Sequence, residues 1–147
     1  MTPVRLLFLA ASLCAALPAL AFDFRSVGDE PAIMYDAPSS RGIKRFIAPP
    51  GMPVEVVHTT PGWSKVRDAA GDMAWVESKS ISAKHTVVVT AASAVVRARP
   101  DEVAPPVFSA GKGVLMEIVE PVVSGWIKVR HRDGEVGYVR SNQVWGR

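Results

Sequence analysis

Cysteine is nearly absent from this chain. Its only cysteine, Cys14, lies within the first 21 residues, so the rest of the chain has no disulfide, no thiol nucleophile and no cysteine-based metal site. A strong excess of one charge is lacking too, because the formal net charge is only +3 and the basic residues form no concentrated stripe. Nucleic-acid binding therefore has no support. No stretch keeps an apolar period of 3.6 residues over three turns, which argues against a helical fold.

Arrangements typical of catalysis and metal binding are also missing. The histidines His58, His85 and His131 fall on different predicted strands or in a linker, and none has a second ligand at metal-binding spacing. Ser93 and Ser124 lack the strand–turn–helix context of a nucleophile elbow. The carboxylates are scattered along the chain, so no pair is indicated for general acid–base work. We therefore expect a non-catalytic protein with no metal or cofactor.

The first 21 residues have the pattern of a secretory signal peptide. Arg5 is their only charge, and an apolar run extends over residues 6–17 before the helix-breaking Pro18. The small residues in Ala19-Leu20-Ala21 fit cleavage after Ala21, although an uncleaved anchor is the alternative. The run is shorter than the roughly 20 apolar residues that cross a bilayer. We expect no membrane span after cleavage, and export without disulfides favours the periplasm of a bacterium.

The remainder of the chain contains one unit twice. We call residues 22–84 unit one and residues 85–147 unit two, and predict that each is a domain. Three pairs of segments align in the same order: AIMYDAP (32–38) with AVVRARP (94–100), GMPVEVV (51–57) with GVLMEIV (113–119), and GWSKVRDAAGDMAWV (62–76) with GWIKVRHRDGEVGYV (125–139).

Each unit reads as short strands joined by turns. Asp133-Gly134, and more weakly Ala70-Gly71, indicate two-residue hairpins, with Gly134 at positive φ in a primed turn. Prolines at 49–53 and 105–106 mark loops. Five or six strands in about 60 residues are typical of a small β-barrel, so the predicted fold class is all-β, with two tandem barrels. The strand Val87–Val89 has no polar face, and we expect it to be buried between the units.

The ordered motifs resemble the bacterial SH3-like domain, in tandem. The order is A-x-V-R-x-x-P, a long loop, G-x-x-V-x-V, G-W-x-K-V-R, a turn and G-Y-V-x-S-x-x-V. It is similar to that of the exported bacterial SH3 family, whose members often carry two such domains after a signal peptide. The resemblance implies a binding module for peptidoglycan or another cell-envelope polymer. The alternative is a periplasmic protein–protein adaptor that modulates a cell-wall enzyme, so the partner is a cell-wall glycopeptide or an envelope protein.

Candidate ligand-binding residues lie on the faces predicted to point away from the core. Strand alternation directs Val66 and Val129 inward, together with Ser64 and Ile127, and their neighbours outward. Aromatic rings beside cations can stack on sugars and bind the carboxylates of a glycopeptide, although the rings can equally pack under the Lys and Arg stems. The predicted ligand-binding residues are Trp126, Lys128, Arg130 and Tyr138, with Arg97 and Arg99 from the neighbouring loop, and Trp63 and Trp75 in unit one.

Overall fold

The computed structural model describes residues 21–147. Apart from Ala21, the predicted signal peptide lies outside the described residues. Within them, the regular structure is β-strand except for two short 3-10 helices, Ser78–Ser80 and Ser141–Gln143. The all-β prediction is confirmed. Among residues 21–147, no helix is long and apolar enough to cross a membrane.

Unit one forms a single seven-stranded antiparallel sheet with the order β3-β2-β6-β5-β4-β1-β7. Its strands are β1 (Asp23–Val27), β2 (Ala32–Tyr35), β3 (Lys44–Ala48), β4 (Pro53–Thr60), β5 (Trp63–Arg67), β6 (Met73–Glu77) and β7 (Ile81–Ser82).

Unit two repeats this arrangement with the order β10-β9-β13-β12-β11-β8-β14. Its strands are β8 (Thr86–Val89), β9 (Ser93–Arg97), β10 (Pro106–Gly111), β11 (Leu115–Ile118), β12 (Trp126–Arg130), β13 (Val136–Arg140) and β14 (Val144–Trp145).

Each sheet encloses a hydrophobic core of its own. Alternate residues from successive strands meet in one cluster per unit, so the two halves of each sheet must face each other across that core. Val66 and Val129 are buried as the alternation predicts, together with Ser64 and Ile127. The largest fully buried side chains are Met34, Met116 and Ile127, with valines filling most of the remaining space.

The prediction of closed barrels is wrong in one respect. In the part of the chain that the structure describes, no ladder joins β3 to β7 or β10 to β14. The terminal strands β7 and β14 have only two residues each, and each is already paired along one edge, with β1 and β8 respectively. The hydrogen-bonded sheets therefore stay open, although each one wraps its core.

The hairpin at Asp133-Gly134 also differs from the prediction. The His131 amide donates to the Glu135 carbonyl over 2.9 Å, and the Gly134 amide donates to the His131 carbonyl over 2.9 Å. The loop thus has three residues. Gly134 has φ +94° as predicted, but Asp133 is not at positive φ, so this is a type I turn followed by a glycine bulge and not a primed turn. The Asp133 carboxylate favours it by accepting the Glu135 amide.

The strand Val87–Val89 is not buried between the units as predicted. Val87 and Val89 point into the core of unit two. The contact between units lies at the start of this strand instead, where the Thr86 hydroxyl donates to the Gly51 carbonyl over 2.7 Å. A second contact joins Phe24 to Trp145, whose ring centroids are 5.2 Å apart in an edge-on arrangement. The strand is apolar because its side chains belong to the core of unit two, and each unit has a core of its own.

Candidate functional site

One face of unit two, turned away from the core, carries half of the predicted ligand-binding residues. The pairing of β12 with β13 places Lys128 opposite Tyr138 and Trp126 opposite Arg140. The pairing of β13 with β9 then places Tyr138 opposite Arg97. The structure therefore brings four of the predicted residues together on one face, which we call the outer face of unit two: Arg97, Trp126, Lys128 and Tyr138.

Trp126 points away from the core but is covered. Its relative exposure is 6%, because the Arg140 guanidinium lies 4.6 Å from the ring centroid in a cation–π contact. Arg140 is held in turn by an ion pair with Glu102, from the loop between β9 and β10. Arg97 fixes the same loop by donating to the Ala104 carbonyl over 2.9 Å. Both Trp126 and Arg97 thus hold structure together, which is the packing role considered above for the aromatic rings.

The remaining cation of the outer face is satisfied within the protein as well. The Lys128 ammonium donates to Glu120 over 2.7 Å, and this hydrogen bond raises the pKa of Lys128. The same ammonium lies 5.8 Å from the centre of the Tyr138 ring. Arg99 lies apart, exposed in the loop between β9 and β10. Two cations of this face, Lys128 and Arg140, are therefore paired with carboxylates from the loops of unit two, and Arg97 is held by a backbone carbonyl.

The aromatic residues predicted in unit one pack against their neighbours. Trp63 lies edge-on to Tyr35, with ring centroids 5.4 Å apart. Trp75 lies edge-on to His58 at 6.1 Å and pairs with Lys65 across the strands. Both tryptophans are half-buried. Both stay partly accessible, with Lys65 opposite Trp75 and Arg67 paired with Glu55.

Arg130 lies beyond Lys128 on the same side of β12, at the end of the strand, and borders a second surface. It is the last residue of β12, its side chain is 50% exposed, and it lines a cleft between the two units with a volume of about 810 Å³. We call this the inter-unit cleft. Unit one contributes Pro49, Pro50 and Gly51 to it, and unit two contributes β11 and part of the β12–β13 hairpin. The short linker before Thr86 also contributes to it, through Lys84.

Positive charge prevails in the inter-unit cleft. Lys84, Arg130 and Arg132 line it, with Glu117 as the only carboxylate, so the lining has an excess of two positive charges. Glu117 lies between Lys84 and Arg130, at 3.9 Å and 4.0 Å. A tight charge-assisted hydrogen bond spans about 2.7–2.9 Å, so these two cations are only loosely held. Both can turn toward a bound anion.

The turn beside the cleft is fixed by its own electrostatics. The Asp133 carboxylate accepts the Glu135 amide over 3.0 Å and lies 3.0 Å from His131 Nδ1. The Glu135 amide and then His131 lower the pKa of Asp133. The carboxylate therefore stays ionised and orients the hairpin that carries Arg130 and Arg132.

A second cleft between the units has a different character. It encloses about 560 Å³ and is lined by Phe24, Trp145 and the Glu55–Arg67 pair. Arg67 donates two hydrogen bonds to the buried Glu55, over 2.9 Å and 3.1 Å, so its charge is already satisfied. This cleft offers no excess of cations to a ligand.

Two residues of the inter-unit cleft were not predicted from the sequence. Lys84 and Arg132 were not among the predicted residues, although Arg130-His131-Arg132 is a short basic run just before the hairpin glycine. That run was the available signal, but its partner surface at Pro49 and Pro50 comes from the other unit. Within residues 21–147, no group of three His, Cys, Asp or Glu residues is placed to hold a metal ion.

Comparison with protein families identifies the class. The Bacterial SH3 domain family matches the chain twice, over residues 28–83 and 90–146. The chain therefore belongs to this family and carries two of its domains in tandem, as the resemblance indicated. Domains of this family are typical of exported or cell-envelope proteins and commonly bind cell-wall material. A search of the curated proteins found no match.

Among solved structures, this chain is similar to NlpC2 and NlpC1 from Trichomonas vaginalis and to an NlpC/P60 family protein from Bacillus cereus ATCC 10987. The respective identities are 11%, 13% and 15%, with TM-scores of 0.40, 0.39 and 0.38. The matches cover 88%, 95% and 83% of this chain but only 49%, 51% and 55% of the other chains. This chain thus spans about half the length of each relative, and values this low support no conclusion about its function.

Proposed function

We propose that this protein is a non-catalytic periplasmic module that binds an anionic polymer of the cell envelope, namely peptidoglycan. The observation that carries the proposal is the inter-unit cleft, where two bacterial SH3 domains pack so that Lys84, Arg130 and Arg132 surround a single carboxylate. Neither unit forms this cleft alone. The tandem arrangement is therefore required to form the proposed binding site.

The chemistry of the cleft fits a glycopeptide. Arginine presents a planar fork of donors that matches a carboxylate, and the peptide stems of peptidoglycan carry free carboxylates. The walls also include the apolar side chains of Pro49, Pro50 and Leu115, which can contact a sugar ring or a peptide backbone. A few polar groups on a mostly apolar wall are typical of ligand sites.

Sedimentation with purified sacculi tests this function. The wild-type protein should pellet with sacculi in the absence of other proteins, and Arg130→Ala/Arg132→Ala should bind about tenfold more weakly, or about 1.4 kcal/mol. The matched control is Lys79→Ala/Lys112→Ala, which removes the same charge from exposed positions outside the cleft. A wild-type protein that stays in the supernatant, or equal losses in the two double variants, would refute the proposal.

A further inference from the structure

The edge strand of unit one exposes apolar side chains that no part of the described chain covers. Ile43 is 68% exposed, Phe46 40% and Ile47 69%. Ile43 immediately precedes β3, and the other two lie on it. The Asp36 carboxylate fixes this segment by accepting the Ile43 amide over 2.7 Å. The apolar residues are therefore presented on an ordered strand.

Strand β3 is also a free hydrogen-bonding edge. It pairs with β2 on one side, and no strand lies on its other side within residues 21–147. Half of its backbone donors and acceptors therefore have no strand partner. Such an edge can accept a further strand from another chain, since main-chain hydrogen bonds supply affinity and side-chain contacts supply specificity.

The corresponding edge of unit two is blocked. Pro105 and Pro106 align with Ile43 and Lys44, and proline has no amide hydrogen to donate. Strand β10 has a register shift between Pro106 and Phe108, and β3 has one at the equivalent place, between Lys44 and Phe46. The prolines therefore distinguish the two edges, and prolines are a common device that keeps an edge from pairing. The other two edge strands, β7 and β14, have two residues each. Among the four edges, β3 is the one suited to pairing.

The charge of this edge selects the partner. Arg41, Lys44 and Arg45 are exposed, and none of them forms an ion pair within the described residues. By contrast, β10 carries no charged residue. Charges on an edge strand discourage pairing with another copy of the same strand, because like charges would meet. A segment that brings carboxylates is favoured instead.

We propose that β3 docks an extended acidic segment of another protein, which pairs with it as an additional strand. Its carboxylates face Arg41, Lys44 and Arg45, and its apolar residues cover Ile43 and Ile47. The site is separate from the inter-unit cleft. Through this site the protein would bind a protein partner in addition to the polymer ligand. The exposed edge of β3 is thus the observation that favours an adaptor role.

Titration with a synthetic peptide tests this docking. The probe is a short peptide of alternating glutamate and valine, added to the isotope-labelled protein, and amide chemical shifts report where it binds. We expect saturable binding with the largest shifts at residues 43–48. Lys44→Glu/Arg45→Glu should weaken binding by about tenfold, whereas Lys79→Glu/Lys112→Glu, with the same change in net charge, should not. Sacculus binding should be unaffected by Lys44→Glu/Arg45→Glu, which separates this proposal from the proposed function.

Two N-methylated forms of the probe identify strand pairing itself. Alternate amides of a strand point to opposite edges, so methylation of one alternate set should abolish binding and methylation of the other set should preserve it. Vesicles of phosphatidylglycerol serve as the lipid arm and should not shift the resonances of residues 43–48. Absence of peptide binding, equal binding of both methylated forms, shifts elsewhere on the protein, or binding to vesicles in place of peptide would each overturn the proposal.

Discussion

Gly137 lies on strand β13 against β9. A Cβ atom at this position would lie 2.6 Å from Val96 Cγ1 and 2.7 Å from the Arg97 carbonyl oxygen, closer than packed atoms allow. Unit one has Ala74 at the aligned position, where the methyl group is buried in the core. The two units therefore pack differently at this position: unit one accommodates a methyl group for which unit two has no room.

Substitution at these two positions should have unequal effects. Gly137→Ala should lower the free energy of unfolding by about 1–3 kcal/mol, because the backbone of β9 must move to admit the methyl group. Ala74→Gly, the matched exchange in unit one, should cost about 1 kcal/mol through added chain entropy. Urea denaturation measures both. An unchanged midpoint for Gly137→Ala would show that the strands are further apart than described.

The direction of side chains in the candidate site could be predicted from the sequence, but their surroundings could not. Alternation correctly placed Trp126 on the face opposite Val129. The burial of Trp126 under Arg140 could not be predicted in that way, because Arg140 is held by Glu102, which lies 38 positions away in the sequence. Arg130 was predicted from its strand position, yet its surroundings depend on Pro49 and Pro50 of the other unit. Strand periodicity predicts to which side of the sheet a side chain points. It does not predict which residues, distant in the sequence, pack over that side chain.

At the level of elements, the two β-hairpins that follow β5 and β12 use the same turn. In unit one, the Gly71 amide donates to the Asp68 carbonyl over 3.0 Å, and Asp68 pairs with Asp72 as His131 pairs with Glu135. Gly71 has φ +90° and Gly134 has φ +94°. The dipeptides predicted both hairpins, and a positive φ was predicted for Gly134. They did not reveal the loop length, because a glycine with positive φ occurs both in primed turns and in glycine bulges.

Alanine at either turn glycine should be costly for conformational reasons alone. No atom lies within 4 Å of the place that a Cβ would take at Gly71 or Gly134, so no steric clash with another residue contributes. We expect Gly134→Ala and Gly71→Ala each to lower the stability by about 1–2 kcal/mol, the cost of a left-handed conformation for a residue with a Cβ. Thermal unfolding of each variant measures this. Two unaffected melting temperatures would contradict the described turns.

Taken as a whole, the molecule consists of two complete cores joined by a small polar and aromatic contact. The apolar strand Val87–Val89 led us to predict that the units pack together. The strands involved could not be predicted, because the contact depends on Thr86 reaching the Gly51 carbonyl and on Phe24 meeting Trp145. A Cβ on Gly146 would collide with Thr86 and Pro53, so this contact also requires a small residue at the end of β14.

Loss of the aromatic contact should loosen the two units. Phe24→Ala should lower the unfolding free energy by about 1 kcal/mol, typical of an aromatic pair, and should resolve the calorimetric transition into two. Phe46→Ala is the matched control, since its ring is 40% exposed and lies on β3, at the other edge of the sheet from β1. A single transition with an unchanged midpoint in Phe24→Ala would show that the units do not depend on this contact.

The central claim, that the inter-unit cleft binds the cell-wall polymer, is tested most directly by mapping a purified peptidoglycan fragment on the isotope-labelled protein. Amide chemical shifts should change at Lys84 of unit one and at Leu115–Glu117 and Arg130–Arg132 of unit two, which line the cleft. The changes should weaken as salt is added, because the cations are exposed to screening. Shifts confined to Trp63 and Trp75, or to the outer face of unit two, would contradict the account.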